Sequence, residues 1–355
     1  MIDPDAFARL LCDWCLEVRP GQQVMVISST LAEPLVLALH RAVLDADAWP
    51  LLRLSPPRTA EQFFAHAHER HLDEHAPVEL DELNGIDAWL RVDAPANTQA
   101  LAGVDPARLA RVARATAALR EARLGLRWCG TLWPTAALAQ QAGMGQEEYE
   151  RFLAGALFLD RADPVDAWRE LSARQAKLVE RLADVSEIRI EADGTDLRLR
   201  VAGRRWINSD GRRNMPSGEV FTGPHEDSAE GTVRFTVPSN HRGSLVQDVS
   251  LTFRNGEVVK ARAQRGDAGL QAALATDRGS RRLGELGIGT NSGIDRATGA
   301  TLLDEKMAGT VHLALGRSYP ETGGGNSSAL HWDLICDLRQ GGRVTADGEA
   351  IELVQ

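Results

Sequence analysis

The chain has 355 residues, enough for two packed domains, and its 43% hydrophobic and 25% charged content is ordinary for a globular protein. A formal net charge of -10 without a basic stripe disfavours nucleic acid and anionic membranes as partners and favours a small or peptide-like substrate. Residues 1–5 are acidic rather than basic, and no apolar run approaches the roughly 18 residues of a membrane span, so we expect a cytoplasmic protein without a secretory signal.

The first half of the chain alternates helical and strand patterns. Apolar residues recur at helical spacing over residues 6–18 and 33–46. Short apolar runs bounded by turn residues predict strands at 23–28, 88–92 and 126–130. Strands separated by helices of this length predict an open α/β sheet with flanking helices.

A change of pattern follows a further helix predicted over residues 166–183. Polar and apolar residues alternate on both sides of the turn Asp193-Gly194, as in an antiparallel hairpin. The alternating runs lie at 187–192, 196–201, 231–237, 245–254 and 258–263. We therefore predict an N-terminal α/β domain over residues 1–183 and a β-rich, mainly antiparallel α+β domain over residues 184–355.

Two isolated acids stand out in the second domain. Glu219 lies in the otherwise uncharged, turn-rich stretch 214–224, and Glu285 lies among glycines and aliphatic residues in 283–291. An acid in such a stretch must be solvated, paired or bound to a metal ion. Because glycine lets the backbone approach an ion closely, both acids are candidate metal ligands.

Two further segments place histidines on predicted strands. A period of two over residues 330–338 puts the apolar residues on one face and both His331 and Asp333 on the other. Residues 310–316 repeat the arrangement, with His312 opposite the packed face. Ligands at i and i+2 on a rigid strand can bind the same ion.

Each of these residues taken alone also has an ordinary interpretation, as a packing histidine, a salt bridge or a surface acid. Together, three carboxylates and two imidazoles in low-charge segments of one domain suit two divalent cations better than one. The carboxylates supply about three negative charges against four positive ones, and a bridging hydroxide, the nucleophile of two-metal hydrolases, brings the site to neutrality.

These segments resemble the M29 family of metallo-aminopeptidases. The matching stretches are 216–222, 283–285, 312–316 with Tyr319, and 328–335. The resemblance implies a homodimer that encloses its active sites in a cavity, a pair of zinc, cobalt or manganese ions in each chain, and an active-site tyrosine at Tyr319. The metal ligands that it implies are Glu219, Glu285, His312, His331 and Asp333.

The function that this resemblance implies is removal of the N-terminal residue from peptides with a free N-terminus. We expect Glu285 or Glu219 to carry a proton to the leaving amine. We expect Tyr319 to donate a hydrogen bond to the tetrahedral oxyanion, a contribution of around 2.7–4 kcal/mol by analogy with other single oxyanion donors.

Two other functions are compatible with parts of the pattern. His312, His331 and Asp333 could form the two-histidine, one-carboxylate triad of a mononuclear non-haem iron ring-cleaving dioxygenase. A peptide-binding relative without turnover is the other alternative. The presence of both Glu219 and Glu285 favours the two-metal hydrolase over the dioxygenase, and the retention of the full ligand set, with its three acids, favours it over a peptide-binding relative.

Overall fold

The computed structural model describes residues 2–241 and 244–353, and the chain divides into two units. The first unit is Met1–Ala167 with Gly211–Pro216, and the second is Trp168–Asp210 with Ser217–Gln355. The sequence-based division after residue 183 stays a prediction. Within residues 2–241 and 244–353, none of the helices combines the length and the hydrophobicity that a membrane span requires.

The first unit contains helices and short parallel strands in alternation. In chain order the elements are α1 (Pro4–Arg9), a π-helical continuation (Leu10–Cys15), β1 (Gln23–Ser29), α2 (Glu33–Asp45), β2 (Trp49–Ser55), α3 (Thr59–His66), α4 (Glu69–Asp73), α5 (Pro77–Asn84), β3 (Ala88–Asp93), α6 (Pro106–Ala115), α7 (Ala117–Leu124), β4 (Arg127–Leu132), α8 (Ala136–Gln141) and α9 (Gln146–Ala156). The predicted strands at 23–28, 88–92 and 126–130 correspond to β1, β3 and β4.

The sheet of the first unit is parallel, with the order β2-β1-β3-β4 and the short strand Asn214–Met215 beside β4. Val24, Met25 and Val26 of β1 are consecutive and all buried, as expected for a central strand covered on both faces. The edge strand β2 has no counterpart among the predicted elements. Its residues are mostly exposed and it contains Pro50, so it lacks the pattern of a buried strand.

The second unit is mainly antiparallel. Its elements, with the short strand of the first unit included as β8, are α10 (Pro164–Leu182), β5 (Glu187–Ala192), β6 (Thr195–Arg200), β7 (Ile207–Ser209), β8 (Asn214–Met215), β9 (Glu219–Thr222), β10 (Glu230–Phe235), β11 (Ser239–His241), β12 (Ser244–Arg254), β13 (Glu257–Arg265), α11 (Asp267–Leu274), β14 (Leu283–Gly289), α12 (Thr301–Asp304), β15 (Thr310–Gly316), β16 (His331–Asp337), β17 (Arg343–Ala346) and β18 (Glu349–Ile351). The parallel sheet with helices and the separate antiparallel sheets confirm the predicted fold class.

Two sheets form the second unit. The larger has the order β11-β12-β10-β6-β5-β17-β18, with β13 paired to β12, and the smaller has the order β16-β15-β14-β9-β7. One hydrophobic core contains side chains from both, including Ile190 and Val233 of the larger sheet and Leu286 and Leu313 of the smaller. The smaller sheet therefore has one face committed to the core, and its other face is available for polar groups.

Candidate metal centre

The second face of the smaller sheet carries all five predicted ligands. Glu219 lies on β9, Glu285 on β14, His312 on β15, and His331 and Asp333 on β16. Residues directly opposite each other in an antiparallel pair share a face, and the strand registers give the ligands these cross-strand neighbours. The opposed pairs are Glu219 and Gly289, Glu285 and Ala314, His312 and Gly287, Asp333 and Ala314, and His331 and Gly316.

In each of these pairs the neighbour of the predicted ligand is glycine or alanine; on their other sides Glu219 is opposite Ser209 and His312 is opposite Ile335. These small residues leave space above the sheet for the larger ligand side chains. The intervening positions of the same strands hold the aliphatic residues of the core, such as Ile288, Val311 and Leu334. The prediction that alternate residues of 310–316 and 330–338 divide into a packed face and a face that carries His312, His331 and Asp333 is confirmed.

The ligand atoms form two groups. Glu219, Glu285 and His312 make one group, and Glu285, His331 and Asp333 make the other; within each, the ligand atoms lie within 4.8 Å of one another. Glu285 belongs to both groups and contributes a different oxygen to each. Its Oε1 lies 3.3 Å from His312 Nε2, and its Oε2 lies 3.5 Å from His331 Nε2.

The remaining separations also suit shared ions. His312 Nε2 lies 3.3 Å from Glu219 Oε2, and His331 Nε2 lies 3.6 Å from Asp333 Oδ1. Two ligands each about 2.1 Å from one tetrahedral ion are roughly 3.4 Å apart. These four distances are therefore close to the separation expected for two ligands of one ion.

Buried oxygens without partners support the same interpretation. Glu219, Glu285 and Asp333 are at most 9% exposed, and His312 is fully buried. Among the described residues, Glu219 Oε2 and Asp333 Oδ1 have no hydrogen-bond partner. A buried, unpartnered carboxylate oxygen is costly, and a cation at this position would remove that cost. The donor set of carboxylate oxygens and imidazole nitrogens fits a divalent metal ion.

Burial and neighbouring charges shift the pKa values of these groups. Burial raises the pKa of Asp333 to about 7, and the charges of Glu305 and Glu285 add to the rise. Burial alone would lower the pKa of His312, but its hydrogen bond to Glu285 and the charge of Glu219 raise that pKa to about 10. Protons therefore compete with a cation for these ligands.

A hydrogen bond to the backbone orients His331. Its Nδ1 lies 2.8 Å from the carbonyl oxygen of Arg317, and because a carbonyl only accepts, Nδ1 carries the proton. The lone pair of Nε2 then faces Glu285 and Asp333. Such an outer hydrogen bond is the usual way of fixing a metal-binding imidazole.

Hydrogen bonds to neighbouring elements also position the strands that carry the predicted ligands. Gln175 of α10 is 1% exposed, and its Nε2 donates to the carbonyl oxygens of Glu219 and Ser209. On β16, Trp332 Nε1 donates to Ser239 Oγ at 2.8 Å. The Gln175 contacts fix the backbone of β9 at Glu219, and the Trp332 contact fixes the side chain that lies between His331 and Asp333 on β16.

Tyr319 lies beside the ligands but outside both groups. Its ring centroid is 5.0 Å from that of His331 and 5.7 Å from that of Phe221. Burial raises the pKa of Tyr319 above its usual value, and the charges of Glu285 and Asp333 add to the rise. The phenol is therefore protonated near neutral pH and can donate a hydrogen bond.

The centre also contains two charged residues that the sequence pattern does not predict, Glu305 and Lys306. Lys306 is 2% exposed, and its Nζ donates to Glu219 Oε1 at 2.7 Å and to Glu305 Oε1. Burial alone would raise the pKa of Glu305, but the charge of Lys306 holds it below its usual value. In sequence, Asp304, Glu305 and Lys306 resemble a solvated turn, and only their burial distinguishes them.

These two residues leave the net charge of the centre unchanged. Glu305 adds one negative charge to the three ligand carboxylates and Lys306 adds one positive charge. The same net charge of minus three remains to be balanced by metal ions.

The comparisons with known proteins agree with this geometry. The family model described as thermophilic metalloprotease (M29) matches residues 3–355. The chain belongs to the M29 family of metallo-aminopeptidases. It is 33% identical to Aminopeptidase 2 of Geobacillus stearothermophilus, over 97% of this chain and 94% of the relative. It is 32% identical to Aminopeptidase T of Thermus thermophilus, over 90% and 88% of the two chains.

Two solved structures are similar to the structure of this chain. Wild-type AmpT from Thermus thermophilus superposes with a TM-score of 0.84 at 27% identity, covering 98% of this chain and 96% of that one. The 2,5-dihydroxypyridine dioxygenase from Pseudomonas putida shares the fold, with a TM-score of 0.57 at 16% identity over 99% of this chain and 95% of that one. This M29 chain is therefore a metal-dependent hydrolase of the aminopeptidase type, with candidate ligands for divalent metal.

Proposed function

We propose that this M29 enzyme removes the N-terminal residue of peptides by means of two divalent ions held side by side, with Glu285 as the ligand common to both. The observation that carries the proposal is the position of that carboxylate, whose Oε1 faces His312 and whose Oε2 faces His331. One carboxylate shared between two ligand groups is typical of two-metal hydrolases. Glu219 completes one group and Asp333 the other.

When bound by these residues, divalent ions would supply Lewis acidity, which lowers the pKa of a nucleophilic water and polarises the scissile carbonyl. Around them, the protein supplies the proton carrier and the hydrogen-bond donor. Of the two predicted proton carriers, Glu219 has Oε1 bound by Lys306 and Oε2 directed at His312, so Glu285 is the group proposed to take the proton released by the water and deliver it to the leaving amine. Tyr319 retains its proton and donates to the oxyanion that forms at the carbonyl carbon.

The least buried members of the centre indicate where the peptide approaches. The His331 side chain is 17% exposed, whereas that of His312 is 1% exposed. Tyr319 and Phe221 are half-buried and their rings meet edge to face. We infer that the peptide enters beside His331 and that its first side chain packs against Phe221.

The iron dioxygenase is the main alternative. Its triad of His312, His331 and Asp333 would need all three around one ion. His312 is instead grouped with Glu219 and Glu285, whereas His331 and Asp333 form the other group. This division supports two ions, and likeness to a dioxygenase at 16% identity concerns the fold alone.

Further parts of the proposal concern the cellular setting. We propose zinc, cobalt or manganese as the ions, peptides with a free N-terminus as substrates, a cytoplasmic location and a homodimer. The relatives named as aminopeptidases support the substrate class. The acidic composition supports the exclusion of nucleic acid and membrane surfaces as partners.

The test is metal-dependent hydrolysis. Metal-stripped protein is supplied with zinc, cobalt, manganese or ferrous iron and assayed on aminoacyl-p-nitroanilides and dipeptides. We expect hydrolysis with a redox-inert ion, and none when the amino group of the substrate is blocked. Oxygen consumption on dihydroxypyridines with one iron per chain would instead establish the dioxygenase. Binding of peptides without turnover in any metal would establish the peptide-binding relative.

A further inference from the structure

Lys306 places a fixed positive charge inside the centre. Its Nζ lies 2.7 Å from Glu219 Oε1, while the other oxygen of the same carboxylate, Oε2, faces His312 Nε2 at 3.3 Å. One carboxylate therefore separates the ammonium group from the first group of ligands. The side chain is 2% exposed, so solvent does little to screen the charge.

The backbone of this segment is held so that the lysine reaches Glu219. The backbone N–H of Asn291 donates to the backbone carbonyl oxygen of Lys306 at 3.0 Å. A Cβ at Gly289 would lie 2.0 Å from the carbonyl oxygen of Met307, so only glycine at that position admits the segment. The position of Lys306 is thus set by the packing of β14.

The two ligand groups differ in their relation to this charge. Lys306 hydrogen-bonds to Glu219, which belongs only to the group with Glu285 and His312. The group of Glu285, His331 and Asp333 contains neither residue to which the Lys306 Nζ donates, namely Glu219 and Glu305. A cation in the first group is therefore repelled more strongly than a cation in the second.

The hydrogen bond also restricts how Glu219 can bind an ion. With Oε1 occupied by the ammonium group, Oε2 alone is available as a ligand. A carboxylate limited to one oxygen contributes less to affinity than one free to use both. The charge of Lys306 and the restriction of Glu219 to one oxygen both lower the affinity of the group of Glu219, Glu285 and His312 for a cation.

We propose that Lys306 makes the two metal positions unequal, so that ions fill the group of Glu285, His331 and Asp333 first and the group of Glu219, Glu285 and His312 second. The proposal rests on the two-ion centre proposed above. Lys306 acts through Glu219 and through its charge, and is in this sense a positioning residue. It makes the second ion the exchangeable one.

Calorimetric titration of metal-free protein with cobalt tests the inference, with the visible absorption of bound cobalt as an independent record. The proteins compared are the wild type, Lys306→Met, which removes the charge, and Lys306→Arg, which keeps it. We expect two binding steps in the wild type. In Lys306→Met the weaker step should tighten by about tenfold or more, since a nearby charge in a buried site has been removed. In Lys306→Arg the separation of the two steps should persist.

A further variant shows which group of ligands is filled in each binding step. His331→Ala should abolish the tighter step of the wild type and leave the weaker one. If the Lys306→Met protein fails to fold by circular dichroism, Lys306→Gln replaces it, because glutamine keeps a donor for Glu219 without the charge, and the same tightening is expected.

The possible failures are distinguishable. Two steps whose separation is the same in the wild type and in the uncharged variant would overturn the role of Lys306 while leaving the two-ion centre intact. A weaker step that loosens further in Lys306→Met would do the same, because the lysine would then assist the second ion. A single equivalent of cobalt in the wild type would overturn both the two-ion centre and this inference.

Discussion

Replacing Gly287 by alanine would put a methyl group where the imidazole of His312 lies. Gly287 is the cross-strand neighbour of His312, and an added Cβ would lie 2.0 Å from Cε1 and 2.2 Å from Nε2 of that ring. The ring is completely buried and cannot swing into solvent. The perturbation is therefore confined to one ligand of the proposed metal centre.

The size of the displacement follows from the contact distances. Ordinary contact with a Cβ begins at 3.4 Å, so an imidazole atom at 2.0 Å must retreat by about 1.4 Å. Metal–ligand distances tolerate only about 0.2 Å. A misplacement of about 1 Å near a catalytic centre typically costs on the order of 100-fold in rate. We expect a loss of at least that size in kcat/KM and a clear weakening of cobalt binding.

The assay compares Gly287→Ala with Gly145→Ala in cobalt affinity, hydrolysis and unfolding by urea. Gly145 has a φ of -70° and an added Cβ there has no atom within 4 Å, so the same chemical change is made without a contact. We expect the control to match the wild type in cobalt affinity and hydrolysis, with a small loss in urea stability because Gly145 caps the N-terminus of α9. Wild-type cobalt affinity and kcat/KM in Gly287→Ala would show that His312 does not depend on a small cross-strand neighbour.

Three further variants test the shared ligand, the substrate contact and the buried acid Asp304. Glu285→Gln should lower cobalt affinity by about 100-fold or more at both positions, whereas the exposed control Glu349→Gln should not; loss of only one ion would contradict a shared ligand. Phe221→Ala should lower kcat/KM about tenfold or more for bulky apolar N-terminal residues and less for alanine, and equal losses would contradict the proposed contact. Burial raises the pKa of Asp304 from 3.8 to about 6, so its contribution to stability is present below about pH 4 and is lost as the pH rises through about 6. Between about pH 5 and about pH 8 the metal-free wild type should therefore lose roughly 1 kcal/mol of unfolding free energy relative to Asp304→Asn, and parallel pH profiles would contradict this.

The ligand strands could be read from sequence because two physical constraints coincide there. A strand with one face in the core must alternate apolar and other residues, and Val311, Leu313 and Leu315 do so around His312. On β16, Trp332 packs in the core, whereas its sequence neighbours His331 and Asp333 lie on the opposite face. Both strands lie as expected, and their histidines share one face.

Other parts of the centre could not be derived from local pattern. β14 contains three glycines, which weaken the sequence signal of a strand, although it is a central strand of the smaller sheet. Its glycines are explained only by the partners that approach them across the sheet, as His312 approaches Gly287.

Glu305 and Lys306 illustrate a different limit. Charges next to each other in sequence are usually solvated, and no local feature distinguishes a pair buried beside distant carboxylates. Their burial depends on contacts with Glu219, which is 87 residues from Lys306. Such a pair becomes visible only once the strands are assembled.

Anomalous diffraction from crystals of the cobalt- or zinc-loaded protein would locate the bound ions themselves. We expect two peaks per chain, about 3.5–4 Å apart, with one oxygen of Glu285 directed at each. A single peak surrounded by His312, His331 and Asp333, with Glu285 directed away from it, would exclude the two-ion centre.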